Sequence, residues 1–599
     1  MARTMSDLPG ISGKWYTVSF HEPTQMMKII AKKSSFYMFA PIVSACDQPD
    51  KRDVAGKLSD FQVRKKGQAT ILTFIEKSAL WDRKKYTIEF HPKTIKYYYE
   101  VFGAGDVSRA YFFRSWFQDP RTVEFEMGVA PGYDTVFSPA VNFMGKDYHF
   151  TGDTSTITVG NDPTYWGSGL TGAPFCFGLN NRGDDLWVWA GLGVTAGNYT
   201  FEEFTHNSNV TKRIYGAGGF DCNYNGKMRI EGSWKSPHMI LGVSDDPYSG
   251  LEDYVQTLEK DYGLKLPRKR SVPDWWKSPI FCGWGEQMSL QFKEHGNLEG
   301  GDNGQYATQK LHDEWLEIFR KHKIRPGQII IDAGWEAPKT QGDMVVREER
   351  WPDLRGWIDA RHDEGIRTIL WINAWVRDGV PDDECMTKDG KPFNIDPSNP
   401  KFEKRLRGMI RRLLSSDAGC YNAAGVKIDG GINCPIGPGL KNYGNLWGME
   451  LHRHYTWIIR DEAKKHKPDA LIGTFAANPY VADLSDVVRT ADMFSIKATP
   501  HDTMFHRARL IAITQPGCPI DTDHTFWYDI RDNWIDIMPA QLEVPGGVPC
   551  LYHAKYAWHK RPFTRPYIEE ITDQQYKVIR KVFDTQWKRI EGKGKAGKK

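Results

Sequence analysis

The segment Gly425-Val426-Lys427-Ile428-Asp429-Gly430-Gly431 decides how this chain is read. It has the pattern of a short buried strand that ends in a carboxylate, with a lysine two residues earlier. Burying an unpaired charge is costly, so charges in such a strand are paired or functional. Alternation puts Lys427 and Asp429 on one face, where the ammonium would help keep the carboxylate ionised. At the C-terminal end of a barrel strand, a carboxylate stands where chemistry is usually carried out.

The sequence around this segment alternates strand and helix. After Pro279, candidate strands are Ile280 to Trp284, Gln328 to Asp332, Arg367 to Asn373 and Gly425 to Asp429. They continue with Leu471 to Ala476, Val487 to Asp492, Cys518 to Asp523 and Val548 to His553. Helical periodicity marks Gln309 to His322, Lys401 to Ser415 and Gly448 to His466 between them. Eight strands with intervening helices predict an α/β fold, a (β/α)8 TIM barrel. An open doubly wound sheet is the alternative, weakened by the lack of a GxGxxG fingerprint or P-loop.

Upstream the pattern is different. Thr70 to Ile75, Tyr86 to Phe90, Ile95 to Tyr99, Asp185 to Ala190 and Met228 to Gly232 are β-branched and aromatic, separated by polar and glycine-containing turns. Such spacing predicts a β-sandwich. Leu251 to Tyr262 then reads as a helix, and Leu266-Pro267-Arg268-Lys269-Arg270-Ser271-Val272-Pro273 as a connector. The expected organisation is an N-terminal β-sandwich domain over 1–262, a linker over 263–278, the barrel over 279–560, and a helical end with a disordered basic tail over 561–599.

Composition narrows the class of function. The 79 basic and 75 acidic residues nearly cancel, to a net charge of +4, which argues against nucleic acid as a partner. No run of 18 apolar residues predicts a membrane span. The N-terminal residues lack the apolar core of a signal peptide, so the expected location is cytoplasmic. The nine cysteines are scattered without metal spacing, so reduced thiols and no metal are expected. Aromatic residues make up 13% of the chain, including 22 Trp. That suits a β-rich core and also the stacking of flat rings on sugars.

The strand ends share one character. Strand one ends in Trp284 and Glu286, strand two in Asp332 and Trp335, and strand three in Trp371 and Trp375. Strand four supplies Lys427 and Asp429, strand six Arg489 and Asp492, and strand seven Asp521 and Asp523. In a barrel all of these would line one mouth. Acids and bases hydrogen-bond sugar hydroxyls, and Trp supplies an apolar wall. Glycosidic cleavage uses two carboxylates. Asp429 is the candidate nucleophile and Asp492 the candidate proton donor, with Asp486, Asp521 and Asp523 as competitors for the second role. Trp284, Glu286, Asp332, Trp335, Trp371, Trp375, Lys427, Arg489 and Asp523 are the candidate sugar-binding residues.

Together these residues resemble the retaining α-glycosidases of glycoside hydrolase families 27, 36 and 31. Asn394-Ile395-Asp396-Pro397-Ser398-Asn399-Pro400, followed by a helix and Gly425 to Asp429, resembles the family approach to the nucleophile strand. Ile331-Asp332-Ala333-Gly334-Trp335 resembles the strand-two Asp-x-Gly-Trp, whose acid binds sugar hydroxyls. Val488-Arg489-Thr490-Ala491-Asp492 resembles the Arg-Thr-x-x-Asp element of the α-galactosidases, with one residue fewer between Arg and Asp. Ile520-Asp521-Thr522-Asp523 resembles an Asn-Asp-x-Asp element of family 27. The resemblance implies Asp429 as nucleophile, Asp492 as acid/base and an N-terminal β-sandwich. It also implies an oligosaccharide or glycoside substrate, no cofactor, and a superfamily in which homo-oligomers are common. The short sequence beyond strand eight leaves little room for the C-terminal β-domain usual in these families.

The expected function is a retaining, exo-acting α-glycoside hydrolase of α-galactosidase type. An α-glucosidase or a transglycosylase on the same scaffold is the alternative within this chemistry. A non-catalytic carbohydrate-binding protein is the alternative outside it.

Overall fold

Short apolar strands covered on both faces bury nearly all their side chains, and eight of them here form a closed parallel ring. They are β1 (Ile280–Cys282), β2 (Gln328–Ile331), β3 (Arg367–Asn373), β4 (Gly425–Asp429), β5 (Leu471–Thr474), β6 (Val487–Arg489), β7 (Ile520–Asp521) and β8, in two pieces, Gly547–Val548 and Cys550–Leu551. Each pairs in parallel with the next. The first piece of β8 pairs with β7 and the second with β1. Pro549 divides them. It has no N–H to donate, while its carbonyl accepts the Ile280 N–H at 2.9 Å. The ring therefore closes, which rules out the open doubly wound sheet.

This computed structural model describes residues 4–118, 124–139, 156–159, 169–170, 174–181, 183–207, 218–296, 302–340, 342–431, 434–475, 477–490, 493–494, 499–523, 526–527, 534–559 and 567–596. Strands β3 and β4 have the limits expected from sequence; β1, β2, β5, β6 and β7 stop earlier, where the chain turns into the polar segments of the mouth. The residues after β1 form a helix, Trp284–His295, whose first residue the sequence reading gave to strand one and whose remainder it assigned to no element. The expected helices appear as Gln309–Lys321, Pro400–Leu414 and Gly448–His466. Asn399 caps the second through Lys401 N–H, with Pro400 in the first turn. Its buried Phe402, Leu406, Met409, Ile410 and Leu413 recur at helical spacing and face the barrel.

The N-terminal region is an antiparallel β-sandwich. Among the described residues it holds a five-stranded and a twelve-stranded sheet, whose inward side chains share one apolar core. Strand Ile95–Phe112 shows the logic: Ile95, Tyr97, Tyr99 and Val101 are buried, and the residues between them are partly exposed. The core also encloses Lys84, which pairs with Asp53 at 2.5 Å and Glu76 at 3.0 Å.

Helix Pro247–Tyr262 joins the two parts, with Asp246 as its cap and Gly263 in the left-handed conformation (φ +72°) at its end. It covers the sandwich with Leu251, Tyr254 and Leu258, and the Tyr248 hydroxyl meets His506 of the barrel at 2.7 Å. Tyr199 of the sandwich stacks on Tyr480 of the barrel with ring centres 4.0 Å apart. Glu450 accepts both the Tyr199 N–H (2.9 Å) and the Tyr480 hydroxyl (2.7 Å). Two sandwich segments also reach the loop after β4: Glu202 accepts the Gly437 N–H at 2.8 Å, and Gly169–Leu170 pairs with Cys434–Pro435.

The chain ends in helix Asp573–Ala596, tied to the barrel by Gln586 donating to the Lys277 carbonyl and Trp587 to that of Arg325. Lys593 and Lys595, expected in a disordered tail, belong to this helix. No helix among the described residues is long and apolar enough to cross a membrane.

Candidate active site

The register of β3 against β4 sets Trp371 beside Lys427 and Asn373 beside Asp429. Lys427 and Asp429 share a face, and Val426 and Ile428 are buried on the other. Lys427 is buried and donates to Asp332 Oδ2 at 2.6 Å. Asp332 Oδ1 accepts the Ala333 N–H at 2.9 Å, and the Cys282 thiol donates to Oδ2 at 3.1 Å. Burial and Arg489 oppose the charge on Lys427, but Asp332, Cys282 and Asp429 together outweigh them and hold its pKa above the usual lysine value.

Asp429 closes this row at the mouth, where 48% of its side chain is open. The Trp371 indole N–H donates to its Oδ2 at 3.1 Å, and Arg489 Nη1 donates to its Oδ1 at 3.4 Å. Its deep seat would raise its pKa, but Arg489, Lys427 and the Trp371 N–H outweigh that and bring it below the ordinary carboxylate value. Arg489 in turn forks onto Asp523 Oδ2, at 2.9 Å from Nε and 2.6 Å from Nη2. The Tyr552 hydroxyl donates to Asp523 Oδ1. Asp523 has a positive φ, +37°, and its N–H is fixed on Asp521 Oδ1 at 2.8 Å. Burial, with the neighbouring Asp523, pushes the Asp521 carboxyl up to about 6.

Of the residues singled out in the sequence, Asp332, Trp371, Lys427, Asp429, Arg489 and Asp523 come together here. Asp492 lies outside the described residues. Asp486 sits just before β6, at the opposite end from the mouth, where Arg460 and Lys464 pair with it at 2.5 and 2.7 Å.

Several expected sugar contacts need correction. Trp335 is fully buried and donates to the Trp371 carbonyl at 3.0 Å, bracing β3 from behind. Trp375 is buried, donates to the Gly431 carbonyl at 3.0 Å and packs on Tyr455, fixing the turn after Asp429. Trp371 is buried too, and meets the site through its N–H rather than a ring face. Glu286 is fully buried because the helix starting at Trp284 turns it toward the loop after β8. There its Oε1 accepts the N–H groups of Ala554, Lys555 and Tyr556 at 2.5 to 2.7 Å. Burial outweighs those bonds and pushes it up to about 7. Asp523 is fully buried, with both oxygens taken by protein donors. Trp284 is half-buried against the apolar cluster at the barrel axis.

Sequence reasoning passed over Cys282 and Tyr552. Tyr552 carried a signal, since it follows the second piece of β8 and so belongs to the same ring of strand ends. Cys282 ends an apolar strand as one more small apolar residue, and nothing in the sequence marks its thiol. Among the described residues, no three His, Cys, Asp or Glu groups are arranged to hold a metal ion.

No protein-family model and no curated protein matches this sequence. Solved structures do resemble it. The α-galactosidase from Lactobacillus brevis superposes with a TM-score of 0.51 at 10% identity, over 97% of this chain and 83% of that one. The glycoside hydrolase family 36 α-galactosidase AgaA from Geobacillus stearothermophilus gives 0.50 at 11% identity, over 97% and 86%. With its sandwich and closed barrel, the chain shares the fold of the family 36 α-galactosidases.

Proposed function

We propose that the protein is a retaining exo-α-glycosidase that favours a terminal galactose, with Asp429 as its nucleophile. The observation that carries this reading is the state of Asp429: half open at the barrel mouth, and kept ionised by Arg489, Lys427 and the Trp371 N–H. An ionised carboxylate with its charge balanced from one side can attack an anomeric carbon from the other.

In the first step an Asp429 oxygen bonds to the anomeric carbon, the glycosidic bond breaks, and an acid protonates the leaving oxygen. The product is a β-glycosyl ester of Asp429. In the second step the same acid, now a base, takes a proton from water, which attacks the anomeric carbon and frees Asp429. Asp492 is assigned as this acid from its place after Arg489-Thr490 in the sequence. The Lys427 ammonium, fixed by Asp332, lies below the reacting centre in a polar floor. The lean to galactose rests on the Arg489-to-Asp492 element, and the two named structural neighbours are α-galactosidases.

The test is a panel of nitrophenyl α-glycosides with the wild type and Asp429→Asn. The α-galactoside should turn over fastest, the sugar should be released first as its α-anomer by NMR, and Asp429→Asn should lose on the order of 10⁴-fold in kcat. Full activity of Asp429→Asn would remove the nucleophile assignment. Turnover of no panel member, with sugar binding retained, would favour the carbohydrate-binding reading.

A further inference from the structure

Among the described residues Arg489 holds two acids, and unequally. It makes two short bonds to Asp523, at 2.6 and 2.9 Å, and one long bond, at 3.4 Å, to Asp429. A guanidinium normally prefers a bidentate grip on a carboxylate, and Asp429 is the more open of the two. Left to itself, Arg489 would close on Asp429 and cap the lone pairs needed for attack.

Three features hold it on Asp523 instead. Tyr552 donates to the other Asp523 oxygen and fixes the plane of the carboxylate. The Asp523 backbone sits at a positive φ, costly for a residue with a β-carbon, and persists because its N–H is bonded to Asp521. Such strain is kept where the surroundings over-determine it, typically at functional sites. The whole device is buried, so water does not compete for it.

We infer that Asp523, oriented by Tyr552, is a positioning residue that holds the Arg489 guanidinium back from Asp429, so that Arg489 balances the charge of Asp429 without capping its lone pairs. The inference rests on the reading of Asp429 as the nucleophile and adds a restraint to it. Among the described residues, the charged and titratable groups around Asp429 are Arg489 and Asp523 on the β6–β7 side and Lys427 on its own strand. Asp332 and the Cys282 thiol lie beyond Lys427; Asp521, Tyr552 and the Cys550 thiol lie beyond Asp523.

The experiment uses Asp523→Asn and Tyr552→Phe in the full chain. With the tether cut, Arg489 closes on Asp429, so kcat falls by on the order of 10²-fold; the acidic limb of kcat/KM moves to lower pH, through the lost Asp523 charge and the closer Arg489 together. Tyr552→Phe shifts both in the same direction by less. A crystal structure of Asp523→Asn shows Arg489 bidentate on Asp429. In an Arg489→Lys background, which lacks the fork, Asp523→Asn costs little more. A limb that moves to higher pH overturns the proposal, because Asp523 would then be holding Arg489 close. So does an unmoved Arg489, or an effect of Asp523→Asn that multiplies in full with Arg489→Lys. If Asp523→Asn does not fold, Tyr552→Phe carries the same readouts. If the wild type cleaves no glycoside, the functional reading fails, and the crystallographic arm still decides the tether.

Discussion

At Asp429 the balance of charge is set by three neighbours of different kinds, and each leaves a separate trace in pH behaviour. The Trp371 N–H is the one neutral donor among them. Replacing Trp371 by Phe removes a hydrogen bond to the charged form and so raises the Asp429 pKa. The acidic limb of kcat/KM then moves to higher pH, so activity falls more on the acid side of the profile than at neutral pH. A pH–rate profile of the variant checks this. Lys427 has a different role, because its removal strands a buried anion: Lys427→Met leaves Asp332 without its cation and costs about 3–5 kcal/mol of stability, read by urea unfolding. The legible part of the site was the strand-end acids and bases. What could not be read was how a side chain is used. Asp523 looks like a sugar ligand in a one-dimensional pattern, and only the fold shows its oxygens spent on Arg489 and Tyr552. Trp335 and Trp375 look like stacking platforms, yet they are buried braces.

Elements were legible where their pattern was long. Helix Gly448–His466 and strands β3 and β4 have the limits their periodicity gives. The failures cluster at short strands whose ends bend into the mouth, because there tertiary bonds rather than local preference choose where pairing stops. Helix Trp284–His295 is the clearest case. Its first residues read as the tail of β1, and its Glu286 becomes the anchor of the loop after β8. That anchor carries a testable sign. The carboxyl of Glu286 is pushed up in the folded chain, so the fold binds a proton that the unfolded chain has lost. Wild-type stability therefore falls as pH rises from about 4.5 to about 7 and then levels, by up to about 3 kcal/mol from this group. Glu286→Gln lacks that loss. Its stability relative to wild type should rise between pH 5 and pH 8, measured by urea unfolding at each pH.

At the scale of the whole molecule, the two-part architecture was visible in the switch from β-rich to alternating sequence. The grip between the parts was not, because it joins residues far apart in the chain, such as Tyr199 with Tyr480 and Glu202 with Gly437. Tyr199→Ala opens a hole in that interface and should cost about 3–5 kcal/mol, seen as a lowered midpoint in thermal unfolding. The division of β8 at Pro549 has a dynamic consequence. Each closing pair, with β7 on one side and β1 on the other, spans only two residues, whereas β3 and β4 match along five. Protection of backbone amides against deuterium should follow this inequality. Pairing is equally short from β5 through β6 to β7, so the Ile280 and Ile520 amides should exchange faster than those of Trp371 and Lys427, and the barrel breathes on the side running from β5 round to β1 while the wall of β3 and β4 stays shut.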